Sequence, residues 1–484
     1  MIDSTIPLIM LALFLVGTLL LGLKYKKGHN GIIGYTIGNK KLTTATLIAT
    51  VLATACGSGG IMRTVEMIYA DGLWYIMFII GGTIVYYLVC IIVTSRIGLF
   101  IENHIPLKNH ISIADTMGHI YGRIPRIVTA LAAVGTSTTA VATQITVTSR
   151  ALQICISDVN PSVLMVISAS IVILYSAFGG IRSVVTTDML QCATFTIIIP
   201  YISCKVFDHT GMSVSQIFNM VPQLEKFQFT SICQNKTKIL SLIAAWLACV
   251  GIYPASVQRM YMARNGQQAR KVYFTSAILD CTILLIVVFL GIITCAGYSH
   301  VTDSSMIWPA IISNSSAIFK GSFLVSLFSM AMSTADSCLN VASSMFAHDV
   351  VNPLCRNRLT DKQQLYLAKI ACFVIGVFSI ALALFTSKYK DALLRLLFLT
   401  LNIGNPICTA PFLLAIWGFR CKEKIAVLGM VVGVITMTLW KRCIPDIDGS
   451  FVAMLANGIT MLLAHYSMPG KDRKDWTKPS LDYR

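Results

Sequence analysis

Charge is what this sequence most lacks. Only 12% of its 484 residues are Asp, Glu, Lys or Arg, while 55% are hydrophobic. Soluble domains carry roughly a quarter charged residues, so an ordinary water-facing surface is excluded and the chain reads as an integral membrane protein. Acids are the scarcer sign, 21 against 38 basic residues, for a formal charge of +17. A nucleic-acid partner would want those basic residues on one arm or face. Here they sit in short loops between apolar runs, as topology-setting charge does. Long polar stretches are missing too, so no soluble domain is expected; the tail from Met468 to Arg484 reads as a solvated cytoplasmic end. Paired cysteines are the third absence. The 15 cysteines form no CxxC pair, and most, such as Cys56, Cys90, Cys192, Cys249, Cys281, Cys295 and Cys372, stand singly within apolar spans. There they behave as small apolar residues, which removes a disulfide framework or a metal centre. No nucleophile, base and oxyanion set can be assembled, so an enzyme is not expected, nor is a cofactor.

What is present is a series of apolar windows of about 17 to 25 residues. About thirteen occur, near 7–23, 44–62, 73–95, 126–150, 157–178, 185–206, 238–258, 272–297, 319–345, 366–386, 391–418, 424–440 and 450–467. The first, Pro7 to Leu23, has no basic residue ahead of it and is followed by Lys24, Lys26 and Lys27. That order suits a retained helix with its N-terminus outside. The inner loops then hold about 26 basic residues and the outer ones about 12, and the C-terminus lies in the cytoplasm. A bacterial inner membrane is the expected location. The sequence assigns no oligomeric state.

Several spans carry polar groups that lipid makes costly. In Leu324 to Ser344, Ser333 and Thr334 lie one turn beyond Met330, whose carbonyl projects beside them. Two hydroxyls and a freed carbonyl suit a hard cation such as sodium; equally, Ser and Thr bond back to the preceding turn. The stretch Ala53 to Gly60 interrupts another span with three glycines, as an unwound, ion-binding helix or a close packing seam would. Beyond it, Arg63 and Glu66 share a helix face and are expected to pair at the outer mouth. Gly179-Gly180 ends a span at the inner face, and Asp188 and Gln191 follow in the first turns of the next. The acid either favours a helix N-terminus or attracts a departing cation. Trp246, Pro254, Gln258 and Arg259 lie on the seventh span, with Pro254 free to kink it. Asp280 is a coupling group or is satisfied by a neighbouring hydroxyl, and Asp336 has no derivable role.

The run Gly179 to Gln191, the run Met332 to Asn340 with Ser343-Ser344, the Gln258-Arg259 segment and the Ala53 to Gly72 segment together resemble the sodium:solute symporter family. The likeness covers most of the chain. It implies an all-α polytopic membrane protein with a LeuT-like core of two inverted five-helix repeats, 44–206 and 238–418. A first helix and loop, 1–43, would precede them, and two C-terminal helices with a tail, 419–484, would follow. It further implies one sodium held by carbonyls at Ala53, Cys56 and Met330 and hydroxyls at Ser333 and Thr334, with Asp188 on the sodium exit route. Within the family, Trp246 and Pro254 look most like sodium/proline carriers, but Val250 replaces an aromatic and Ala55 an acid found there. Gly60, Gln144, Trp246, Pro254 and Asn402 are the expected cavity wall, and Ala140 stands near Gln144. The implied function is sodium-coupled symport, by alternating access, of a small organic solute: an amino acid such as proline or a carboxylate such as pantothenate. The alternatives are a proton-coupled permease of similar fold and a transporter-like membrane solute sensor, although no kinase or receiver segment is seen. Sodium, the solute and the bilayer are the expected partners.

Overall fold

A computed structural model describes residues 2–24, 31–103, 110–156, 160–230, 236–313, 315–386, 392–468 and 476, and every regular element among them is helical. Lipid leaves backbone groups no water partner, so spans must satisfy them internally, as a helix does. The starts of several helices are capped by the residue types that sequence provides. Thr43 accepts from the Thr46 amide at 3.2 Å, Asn265 from Gln268 at 2.9 Å and Ser316 from Phe319 at 3.3 Å.

The helices of use here are α1 (Ile2–Leu23), α2 (Ile32–Ile37), α3 (Thr44–Ala55), α4 (Ser58–Asp71), α5 (Leu73–Asn103), α6 (Ile113–Tyr121), α7 (Arg123–Cys155) and α8 (Pro161–Thr210). After α9 (Val214–Met220) come α10 (Lys236–Ala248), α11 (Pro254–Met262), α12 (Gly266–Gly297), α13 (Ile307–Ser313), α14 (Ala317–Met345), α15 (Asp361–Thr386), α16 (Ala392–Ile416), α17 (Glu423–Cys443) and α18 (Ser450–Tyr466). Among the described residues eight helices are long and apolar enough to cross a membrane, or nine with one bent pair counted as a span. The expected count of about thirteen is reached only if α8 crosses twice and the shorter apolar helices at 237–248, 400–416 and 450–466 also cross.

Three interruptions organise the bundle. First, α3 and α4 meet at 52°, because Cys56 (ψ 78°) and Gly57 (ψ 143°) leave helical geometry. Second, α8 holds 50 residues, about 75 Å of helix against a hydrocarbon core of about 30 Å. Its break falls at Gly180 (φ 53°, ψ −152°). Third, 249–253 separates α10 from α11. Pro254 occupies the first turn of α11, where its missing N–H costs nothing; it starts a helix instead of kinking one, contrary to the sequence expectation. The two discontinuous helices thus stand first in each expected repeat.

Helix α14 is the most enclosed element. Every residue from Gly321 to Met345 is buried except Thr334, and α7 and α8 pack most extensively on it. At its C-terminal end a π-helical turn, Phe346–Val351, is clamped to α6 and α7. Arg126 pairs with Asp349 at 2.8 Å and Asp115 at 3.1 Å, His348 approaches Asp115 at 3.5 Å, and Ser112 donates to Asp349 at 2.6 Å. Ligand atoms of Asp115, His348 and Asp349 lie within 4.8 Å of one another, a spacing open to a metal ion, and Arg126 is already paired with both acids. Burial alone would raise the Asp115 carboxyl; the hydrogen bond and charge of His348, with Arg126, outweigh it and hold it well below the usual range.

Two outcomes are expected. Gly180→Ala would set a Cβ 2.5 Å from the Tyr35 ring and 2.9 Å from its carbonyl oxygen at a positive φ, whereas Gly211→Ala, also at positive φ, meets nothing within 4 Å. Gly180→Ala should therefore cost more than the about 1–3 kcal/mol of backbone strain common to both, read as a lower melting temperature of the purified chain. His110, beside Thr116, is pushed down to about 4 by burial. The unfolded chain takes up that proton near about 6.5, so His110 contributes stability above that pH that drains as pH falls toward 4. Melting temperature should drop across this window, and less steeply in His110→Gln.

Candidate functional site

The first break exposes main-chain oxygens in the middle of the bundle, and α14 supplies the groups that meet them. The Ser333 hydroxyl lies 2.8 Å from the Ala53 carbonyl and 2.9 Å from the Met330 carbonyl, and the Thr334 hydroxyl lies 3.1 Å from the latter. A Cβ on Gly57 would sit 3.6 Å from Thr334 Oγ1 and 3.3 Å from Gln144 Nε2, so Thr334 and Gln144 both face the break. Four of the five oxygens expected for sodium therefore share one small volume, all uncharged and all hard donors, the type alkali and alkaline-earth ions take. Cys56 belongs to the same turn; its thiol points the other way, donating to Asp280 at 3.1 Å.

Above this point the broken span is open. Ala55 and Gly60 are exposed although they sit mid-chain in a span, and a Cβ on Gly60 would meet nothing within 4 Å. Gln144 accepts from Ser58 at 2.8 Å, which places it on the same wall. Trp246 is engaged elsewhere: its indole donates to the Met77 and Phe78 carbonyls at 3.1 and 3.3 Å. Asn402 accepts from Ser450 at 3.3 Å, toward α18, and Pro254 begins α11. Glu66 pairs with Arg150 at 3.0 Å; Arg63, expected as its partner, is exposed.

Below, a polar seam runs along α14 at helical spacing through Ser333, Ser337, Asn340 and Ser344. Arg259 reaches into it, donating to Ser337, to Thr54 at 3.3 Å and to Gln258 at 2.9 Å, with Asp188 at 3.9 Å. Asp188 also accepts from Thr50. Asp336, without a role from sequence, accepts from Tyr175 at 2.7 Å and Thr187 at 3.2 Å. Gln258 extends the seam to Asn340 at 3.0 Å. The spacing 333, 337, 340, 344 was the available signal for this seam; nothing local in sequence signals Tyr175 or Arg150 as partners.

A bent span with carbonyls facing hydroxyls on a buried helix is the geometry of a broken-helix transporter. The family model for the sodium:solute symporter family matches residues 35–433. The chain belongs to that family. Its members are transporters, not enzymes. The chain is 22% identical over 335 residues to the sodium/sialic acid symporter NanT of Aliivibrio fischeri, covering 64% of this chain and 65% of that protein. It is 24% identical over 387 residues to the high-affinity choline transporter 1 of Drosophila melanogaster, covering 77% and 60%. In both cases the matched part is less than two thirds of the relative. In fold, it is similar to a substrate-bound, outward-open Na+-coupled sialic acid symporter, with TM-score 0.81 and 20% identity over 95% of this chain and 96% of that one. The fold is accordingly the LeuT type, and the sodium:solute symporter chain is an integral membrane protein.

Two buried acids share one guanidinium in the seam, so the partners are unequal. Arg259→Met should leave both carboxylates uncompensated and cost about 3–5 kcal/mol. Asp336→Asn, which leaves Asp188 and Arg259 balanced, should cost clearly less. Thermal unfolding of the two variants checks the order.

Proposed function

We propose that this chain is a sodium-coupled secondary active symporter that imports a small organic solute by alternating access. The observation that carries the reading is the Ser333 hydroxyl, which lies within hydrogen-bond distance of one carbonyl from the break and one from its own helix. A sodium ion takes the same oxygens, with Thr334 and the Cys56 carbonyl completing the set. It ties α3 to α14 and so favours one arrangement of the two bundles. Gly60, Gln144 and the open face at Ala55 line the solute cavity. After rearrangement sodium leaves inward past Asp188, which Arg259 keeps from trapping it permanently. The repeats are 44–206 and 238–418, and the N-terminus lies outside a bacterial inner membrane with the C-terminus in the cytoplasm.

Sodium and solute are coupled, so each raises the affinity of the other by the same factor. In proteoliposomes, uptake should require an inward sodium gradient and should not be driven by a pH gradient in sodium-free buffer. Ser333→Ala with Thr334→Ala should raise the half-saturating sodium concentration at least about 10-fold, about 1.4 kcal/mol; an unchanged sodium dependence would refute the site.

A further inference from the structure

Asp280 stands apart from the other acids enclosed in the bundle. Glu66 has Arg150, Asp188 has Arg259, and Asp336 has tyrosine and threonine donors with Arg259 nearby. Among the described residues no cation faces Asp280; its neighbours are the Cys56 thiol and Tyr87. It lies on the stripe of α12 formed by Tyr273, Ser276, Ile283 and Val287, all buried, yet is itself only partly covered. The exposed residues Ile278 and Leu285 occupy other faces of this helix, and the Cys56 contact sets Asp280 beside the first break. The Tyr87 hydroxyl faces the carboxylate, and the Ser276 hydroxyl, one turn earlier on α12, is buried without a hydrogen-bond partner.

The surroundings suit one kind of guest. A thiol is a weak donor and the tyrosine hydroxyl a neutral one, so the carboxylate has no opposite charge against it in a low-dielectric setting, which is costly until a cation arrives. Aromatic faces extend from it: Tyr87 meets Tyr86 at 5.2 Å, and Tyr86 meets Tyr253 at 6.3 Å. Tyr253 is the exposed residue that ends the third interruption. An acid against the first ring of a tyrosine cluster that runs from one helix break to another is chemistry suited to a cationic nitrogen. The site differs from the sodium oxygens: the Cys56 thiol points to α12 while the Ala53 carbonyl points to α14.

We propose that Asp280 is the charge-selecting residue of the solute site and that the transported solute carries a positively charged nitrogen. This rests on the reading of the chain as a sodium symporter. An amine, a quaternary ammonium or an amino acid places its nitrogen against Asp280 and the Tyr86–Tyr87–Tyr253 wall. Solutes whose only charge is a carboxylate, pantothenate among them, are excluded by repulsion.

The test is binding of radiolabelled sodium to the full chain in lipid nanodiscs, alone and with each of choline, betaine, proline and spermidine, with 3,3-dimethyl-1-butanol as neutral isostere of choline, and with pantothenate. At least one cationic solute should lower the half-saturating sodium concentration about 5-fold or more, while the neutral and purely anionic solutes leave it unchanged. Asp280→Asn should bind sodium alone as wild type does but lose the solute effect, and Asp280→Glu should keep it. A wild-type chain that binds no sodium refutes the symporter reading itself. Sodium binding with no response to any cationic solute, or a response to pantothenate, overturns only the assignment of Asp280. So does an Asp280→Asn chain that retains the response, or one that loses sodium binding without solute, which would give the carboxylate to the ion.

Discussion

The structure depends on how a membrane protein satisfies main-chain oxygens where a helix stops. Ending α3 at Ala55 frees carbonyls that lipid cannot hydrate, and an unpaired carbonyl there costs several kcal/mol, on the order of a lost hydrogen bond in hydrocarbon. The bundle answers with α14, whose hydroxyls lie opposite the break. That requirement explains why α14 is buried almost throughout and why α7 and α8 enclose it. A helix carrying Ser333, Asp336, Ser337 and Asn340 on one face must turn that face to the bundle and away from lipid.

Electrostatics divides the interior into compartments with different balances. The clamp at the C-terminal end of α14 sets Arg126 and His348 against Asp115 and Asp349, so opposite charges are matched in number. The seam beside Asp188 holds one arginine for two acids and makes up the difference with Thr50, Tyr175 and Thr187 as donors. Hydroxyls of this kind can turn to serve a passing cation or a fixed carboxylate, since their proton rotates. The seam is therefore polar along its length and closed by its own hydrogen bonds.

Much of the fold was legible in the sequence because hydropathy is a local property. Apolar windows located the helices, the glycines at 57, 59 and 60 marked the first break, and Gly179-Gly180 marked the bend in α8. The interruption at 249–253 was not legible: Val250, Gly251 and Ile252 are as apolar as the helix they interrupt, and the span was read as continuous from 238 to 258. At the site, Met330, Ser333 and Thr334 were recoverable because one helical turn brings them together. The match of Glu66 with Arg150, of Asp336 with Tyr175 and of Asp280 with Cys56 depends on helix packing between distant segments, which no periodicity encodes. Arg63 was chosen for Glu66 on spacing alone, and spacing does not report which side of a helix meets a neighbour.

Tyr35, on the six-residue helix α2, joins parts of the molecule far apart in sequence. Its hydroxyl donates to the Ser176 and Ala177 carbonyls at 3.2 and 3.4 Å, its carbonyl accepts from Asn340 at 3.4 Å, and its ring covers Gly180. The same residue thus answers to the bend of α8 and to the C-terminal half of α14. A replacement that suits one of these neighbours offends another: phenylalanine strands two carbonyls, and a smaller residue uncovers the glycine. Position 35 is in this way as constrained in the residues it tolerates as any ion ligand, although it touches neither ion nor solute.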